Sequence, residues 1–323
     1  MKNIVAKPSS PVRMFFPLIQ KIRRGYARFT DRIARRLVIS GGRIRFLDAD
    51  LNFPEDVALV YSTTLFWDGP EAYEQATSRA IALLAQRARV FFDIGSNMGL
   101  YAVYAGVACK ETVTYAFEPV PAIWEKNCAF HRANGLPEKN VFRLALSDRE
   151  GVQKIFIPVF TGAVEVEQSA TLRADSWQAH HEKVETVEIQ CVTLDSFVAG
   201  QPLPDGPCAL KIDVENFEAA VLRGAKKFIA ARRPWMVCEI LPCEDFDSAT
   251  KTLRNNNRET LAVVDELGYV PFAITLDGFF RMTAADFSRP RQLKDFLLVP
   301  REKITSEVGY LASSDVEQLL QTN

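Results

Sequence analysis

Apolar positions change period repeatedly along this chain, and each change marks an element. Residues 14–37 place Phe15, Leu18, Ile19, Ile22, Tyr26, Phe29, Ile33 and Leu37 at helical spacing, with Arg24, Arg28, Arg32 and Arg35 opposite. Residues 44–66 alternate in short β-like pieces, and 71–88 read as a helix leading into the run Val90-Phe91-Phe92-Asp93. From there strand and helix patterns alternate. Helices are predicted over 100–108, 121–134 and 217–231, and strands over 112–117, 141–146, 209–213 and 235–240. Residues 152–192 break the rhythm: 152–158 and 184–192 read as strands around a polar segment, a hairpin insert or a cover. The last β candidates are 269–274 and 296–299, and Pro271 predicts an edge position for the first of them.

Alternating β and α units imply an α/β fold, a mostly parallel doubly wound sheet with helices on both faces. In such sheets ligands bind at the carboxyl ends of the strands. Those ends are acidic here: Asp93, Glu118, Ser147-Asp148, Asp213 with Glu215, and Glu239. After Asp93 come Gly95 and Gly99, whose missing side chains permit unusual φ and leave backbone open to a ligand. Glu118 lies 19 residues beyond Gly99, where a carboxylate can accept from ribose hydroxyls. That spacing also suits NAD. However, the glycines read GxxxG rather than GxGxxG, and Asp93 would repel a pyrophosphate. S-adenosyl-L-methionine, with its ammonium, sulfonium and ribose, fits better.

The motif series extends this. Asp93-Ile94-Gly95-Ser96-Asn97-Met98-Gly99 is followed by Glu118-Pro119, Lys126-Asn127, Asn134-Gly135 and Ala145-Leu146-Ser147-Asp148. Thr193-Leu194-Asp195 comes next, then the run from Lys211 through Asp213-Val214-Glu215-Asn216 to Gly224, and finally Cys238-Glu239. Over residues 88–241 the chain resembles the FkbM family of S-adenosylmethionine-dependent methyltransferases. The resemblance implies a Rossmann-like class I methyltransferase fold and methyl transfer, usually to a hydroxyl of a sugar, glycolipid or secondary metabolite. It assigns Asp93, Gly95, Ser96, Asn97 and Gly99 to the loop under the methionine end of the cofactor, Glu118 to the ribose, and Ser147 and Asp148 to the adenine. Asp213 becomes the first candidate for base or acceptor orienter, followed by Glu215 and Glu239. Asn216 stands where the family has glycine, and Asn tolerates left-handed backbone.

Other residues admit two readings. Glu215 suits a helix cap as well as the site, and Glu218 reads as a solvated helix residue. His131 reads as structural, while His180 and His181 fall in the polar insert. Phe66, Trp67 and Tyr73 read as a packing cluster or as an acceptor wall. Asp213 with Glu239 offers hard oxygens of the kind that hold Mg2+, although no metal-ligand spacing is present and no metal ligand is assigned.

Composition adds an asymmetry. Of the chain's 39 basic and 40 acidic residues, residues 1–45 hold twelve basic and one acidic, which leaves 27 basic and 39 acidic to the rest. A basic leader on an acidic body suggests an arm with its own partner and not a nucleic-acid-binding core. Residues 14–37 could make peripheral contact with an anionic membrane or pack on their own domain. The organisation expected is a basic N-terminal helical extension over 1–70, a methyltransferase domain over 71–301 with an insert at about 152–192, and a helical tail over 302–323. Six cysteines without metal spacing read as reduced core residues. No run approaches a membrane span, so a cytoplasmic protein is expected, peripheral at most at the inner membrane surface. Its partner would be a small-molecule or glycan acceptor. The competing reading is a catalytically inactive cofactor-binding scaffold recruited through the arm.

Overall fold

The apolar runs form the strands, and the polar punctuation between them forms the turns. The computed structural model describes residues 42–54, 57, 69, 71, 73–159, 170–172, 183–241, 248–283 and 293–321, without the side chains of 248–256. The arm at 14–37, Phe66, Trp67, His180, His181 and Cys243 lie outside the described residues.

The described chain opens with a hairpin, β1 (Gly42–Phe46) and β2 (Ala49–Phe53), then α1 (Gln75–Ala85). Next come β3 (Val90–Ile94), α2 (Leu100–Ala108), β4 (Val113–Phe117), α3 (Pro121–Ala133) and β5 (Val141–Phe142). A smaller region holds β6 (Ala145–Leu146), β7 (Gly151–Pro158) and β8 (Val184–Val192). The chain continues with α4 (Leu194–Ala199), β9 (Cys208–Ile212), α5 (Glu218–Gly224), α6 (Lys226–Arg232) and β10 (Trp235–Glu239). It ends with α7 (Ser248–Glu266), β11 (Tyr269–Thr275), β12 (Gly278–Arg281), β13 (Asp295–Pro300), β14 (Tyr310–Leu311) and α8 (Ser313–Gln321).

The main sheet runs β14-β12-β11-β13-β10-β9-β3-β4-β5. Its core, β10 to β5, is parallel, and β13, β11, β12 and β14 extend it antiparallel. Strands β3, β9 and β10 are buried at every position, as strands covered on both faces must be. Phe91 faces the layer of α1, α2 and the β1–β2 hairpin, whereas Phe92 faces the layer of α5, α6 and α7. Each is fully buried, and each contributes about 2 kcal/mol by leaving water. This is the Rossmann-like α/β arrangement that the alternation predicts.

Three expectations need correction. The single strand over 141–146 is two: β5 joins the main sheet, while β6 bends away and pairs Ala145 with Cys191 beside the β7–β8 hairpin. The helix over 217–231 breaks at Ala225, because Gly224 packs on Ser147, whose carbonyl would lie 1.9 Å from any added Cβ. Strand β11 is interior, despite Pro271. The Pro271 carbonyl accepts from Met282 N, so its missing N–H points where pairing with β12 stops at Arg281, and the ladder to β13 is untouched.

Candidate functional site

From β3 the chain winds outward through β4 and β5, then returns to β9 on the other side of β3. The crevice at such a reversal is where doubly wound sheets bind ligands. A cavity of about 230 Å3 opens there. The loop from Gly95 to Asn97 and Glu118 line one half, and Asp213, Glu215 and Glu239 line the other.

The first half is shaped by backbone. Gly95, Asn97 and Gly99 have φ of 72°, 49° and 88°. A Cβ at Gly95 would sit 1.8 Å from the Asp213 carbonyl oxygen, and one at Gly99 would sit 2.3 Å from Asn127 Oδ1. Both glycines therefore serve close packing of the loop on its neighbours, and of the two only Gly95 also lines the cavity. Asn127 Nδ2 donates to Ser96 Oγ at 2.9 Å and to the Asn97 carbonyl at 2.8 Å, and Lys211 Nζ donates to the Gly95 carbonyl at 3.1 Å. Asp93 is fully buried beneath the loop, accepting from Ala102 N at 3.0 Å. Glu118 reaches the cavity wall, and its Oε1 accepts from Val120 N at 2.8 Å. Burial pushes this carboxyl up to about 8 against the lowering effect of the Val120 and Asn97 N–H groups.

Four predicted cofactor residues are off the wall. Asp93 and Gly99 brace the loop, and Ser147 and Asp148 turn toward each other, with Ser147 Oγ donating to Asp148 Oδ1 at 3.3 Å. Leu144, Ala145 and Leu146 line the wall in their place. The break after β5 swings these three residues inward.

The second half is held by charge. Lys211 rises through the apolar strand β9 to meet Asp213 Oδ2 at 3.1 Å, with Asp93 Oδ1 at 3.9 Å and the Tyr101 ring centroid at 5.7 Å. Lys294 meets Glu239 Oε1 at 3.0 Å and Glu74 Oε1 at 3.1 Å. Tyr101 Oη donates to Glu74 Oε2 at 2.8 Å. Burial, and then the Asp213 charge, drives the Glu239 carboxyl well above its usual range. Burial also works to raise Asp213, but Lys211 and Lys294 outweigh it and hold that carboxyl low. The two carboxyls are thus driven in opposite directions within one cavity, Glu239 up and Asp213 down. The two ammoniums pair with one oxygen of each carboxyl, and among the described residues no group of three His, Cys, Asp or Glu could hold a metal.

A bracing loop joins the halves. Glu215 and Asn216 are both left-handed, at φ of 53° and 73°, so asparagine keeps the turn that glycine would make. Glu218, which reads from the sequence as solvated, is buried; its Oε1 accepts from Val214 N and Asn216 N, each at 3.2 Å. From the insert, Thr171 Oγ1 donates to the Glu215 carbonyl at 2.7 Å, and its neighbours Ala170 and Leu172 line the cavity. Burial and the Asp213 charge push Glu215 up to about 8. His131 is buried in α3, and burial pushes it down to about 4. Tyr73 lies on the wall.

Residues 93–271 match the sequence profile described as the methyltransferase FkbM domain. The chain belongs to the FkbM methyltransferase family. It is similar, at 13% identity and a TM-score of 0.39, to the crystal structure of methyltransferase FkbM from Methylobacillus flagellatus KT, covering 74% of this chain and 53% of that one. The chain thus spans about half the length of that relative. It is also similar to precorrin-6y C5,15-methyltransferase from Geobacter metallireducens GS-15, at 11% identity and a TM-score of 0.33, over 68% of this chain and 86% of that one. No curated protein matches the chain.

Within the FkbM segment many motif residues brace and never touch the cavity. Thr193 Oγ1 caps α4 by accepting from Ser196 N at 3.0 Å, and Asp195 accepts from the N–H groups of Lys227 and Phe228 in the first turn of α6. Three cavity residues, Tyr73, Glu74 and Lys294, fall outside the FkbM segment.

Proposed function

We propose that this chain transfers the methyl group of S-adenosylmethionine to a hydroxyl of a sugar, glycolipid or secondary metabolite. The observation that carries this reading is a single cavity lined both by Asp213, paired with Lys211 at 3.1 Å, and by Glu118 with the loop of Gly95 to Asn97. The cofactor, when bound, supplies an electrophilic methyl carbon on a sulfonium. Glu118 accepts from the ribose hydroxyls, and the tightly packed loop fixes the amino-acid end. Ser96 and Asn97 are held for this by Asn127. Carboxylates crowd this cavity, and such a wall favours a cationic guest. An acceptor oxygen lined up with that methyl carbon and sulfur would form the new O–C bond as the C–S bond breaks, leaving S-adenosylhomocysteine. The hydroxyl proton would pass to Asp213, held ionised by Lys211, and leave from there to solvent.

The inactive-scaffold alternative drew on Asn216 and the basic arm. Asn216 keeps the left-handed turn, and the arm lies outside the described residues. Among the described residues no helix is long and apolar enough to cross a membrane. Calorimetric titration with S-adenosylmethionine and S-adenosylhomocysteine, with and without Mg2+, tests the proposal. Micromolar binding of both, indifferent to Mg2+, is expected, and no binding of either would overturn it.

A further inference from the structure

The cavity divides along the sheet. Neighbouring strands lie about 4.8 Å apart, so Glu118 at the end of β4 and Glu239 at the end of β10, three strands away, are separated by roughly 14 Å. If the loop after β3 and Glu118 hold the cofactor, the ends of β9, β10 and β13 form the acceptor half. That half is rich in carboxylates: Glu74, Asp213, Glu215 and Glu239.

Its two lysines differ. Lys211 is 8% exposed and tied to Gly95 and Asp213. Lys294 is 41% exposed, and its ammonium stands between Glu239 and Glu74. Its long stem can swing outward. Two further observations mark this as a place for a ligand. Glu239 is 95% buried in side chain, lines the cavity, and its Oε2 accepts from no donor among the described residues. Glu74 stands at the N-cap of α1 with φ of 41°, yet its side chain makes no capping bond and turns to Lys294 and Tyr101. A non-glycine residue held left-handed at a cavity wall stores strain of about 1 kcal/mol or more, a frequent mark of a binding site.

We propose that Glu74 and Glu239 form a seat for a protonated amine, that the Lys294 ammonium holds this seat until an acceptor arrives, and that the methyl acceptor carries such an amine. This deepens the methyl-transfer reading and rests on it. The acceptor class is then an amine-bearing alcohol. Its cation displaces Lys294 and its hydroxyl is presented to Asp213, whereas an anionic acceptor meets a wall of carboxyl groups.

The test uses the full chain saturated with S-adenosylhomocysteine and three small probes matched in size: 2-aminoethanol, ethylene glycol and glycolate. Ligand-observed NMR titrations at neutral pH rank them. The expected order places 2-aminoethanol at least about tenfold tighter than ethylene glycol, with glycolate last. Glu74→Gln removes most of that preference. Lys294→Gln raises 2-aminoethanol affinity several-fold, because a competitor is gone; a merely structural Lys294 would lower it. No binding of 2-aminoethanol, equal binding of 2-aminoethanol and ethylene glycol, or a fall in Lys294→Gln overturns the amine seat. Failure of the wild-type chain to bind S-adenosylhomocysteine overturns the methyl-transfer reading instead.

Discussion

The two halves of the cavity are built by different forces. The half under the loop of Gly95 to Gly99 is fitted by backbone and one neutral amide: left-handed turns, glycines packed against a carbonyl and an amide, and Asn127 fastening the loop. The half at the ends of β9, β10 and β13 is fitted by ion pairs among Lys211, Asp213, Glu239, Lys294 and Glu74. Steric fitting tolerates almost no substitution and holds one shape. Charge fitting can exchange one cation for another without moving the backbone. A cosubstrate of one fixed structure suits the first, and an acceptor whose own charge takes the place of another suits the second.

The sharpest way to break the charged half is Lys211→Met, which leaves Asp213 and Asp93 without their buried counter-charge. A loss of about 3–5 kcal/mol in urea unfolding is expected. Gly95→Ala strikes the steric half, where the new methyl meets the Asp213 carbonyl at a positive φ. Stability should fall by about 3 kcal/mol, with S-adenosylhomocysteine binding lost by calorimetry. Asn127→Ala removes the fastening of the loop without steric conflict. About 2 kcal/mol of stability and a weaker cofactor Kd, with probe binding in the acceptor half little changed, would separate the halves.

Titration should distinguish the empty and filled states. Glu118 and Glu215 sit near 8 in the folded chain against an ordinary 4.5, so the fold binds extra protons between those values. The stability they contribute is complete below about 4.5 and is lost as pH rises through 8. S-adenosylmethionine affinity should rise several-fold over the same window as the carboxyls ionise. Thermal unfolding and calorimetry across pH check both, and Glu118→Gln should flatten the curves. The smallest effect expected is a gain: Asn216→Gly relieves a left-handed asparagine whose buried Nδ2 has no partner among the described residues, adding about 1 kcal/mol.

What the sequence reveals and what it hides divide along similar lines. The loop, Glu118, Asp213 and Glu239 were legible because each follows an apolar run, and position along a strand places them on one edge. Lys211 carried a signal that the motif reading left unused: a lysine inside the buried run Cys208-Ala209-Leu210-Lys211-Ile212 needs acidic neighbours. Glu218 looks like any first-turn glutamate until the turn at Glu215 and Asn216 bends back over its carboxylate. Glu74 and Lys294 are 220 residues apart, and no local pattern pairs them. Ser147 and Asp148 were expected beside the ligand because 141–146 reads as one strand, and a break at Arg143 and Leu144 is invisible to periodicity.

Both margins of the nine-stranded sheet are strands of two residues, Tyr310–Leu311 at one side and Val141–Phe142 at the other. A row of free N–H and C=O groups at a sheet margin invites another chain to add itself as a further strand, the first step toward polymerisation and fibre growth. Margins this short give an incoming strand almost nothing to register against. A broad, strongly apolar sheet can therefore persist at high concentration without templating its own aggregation.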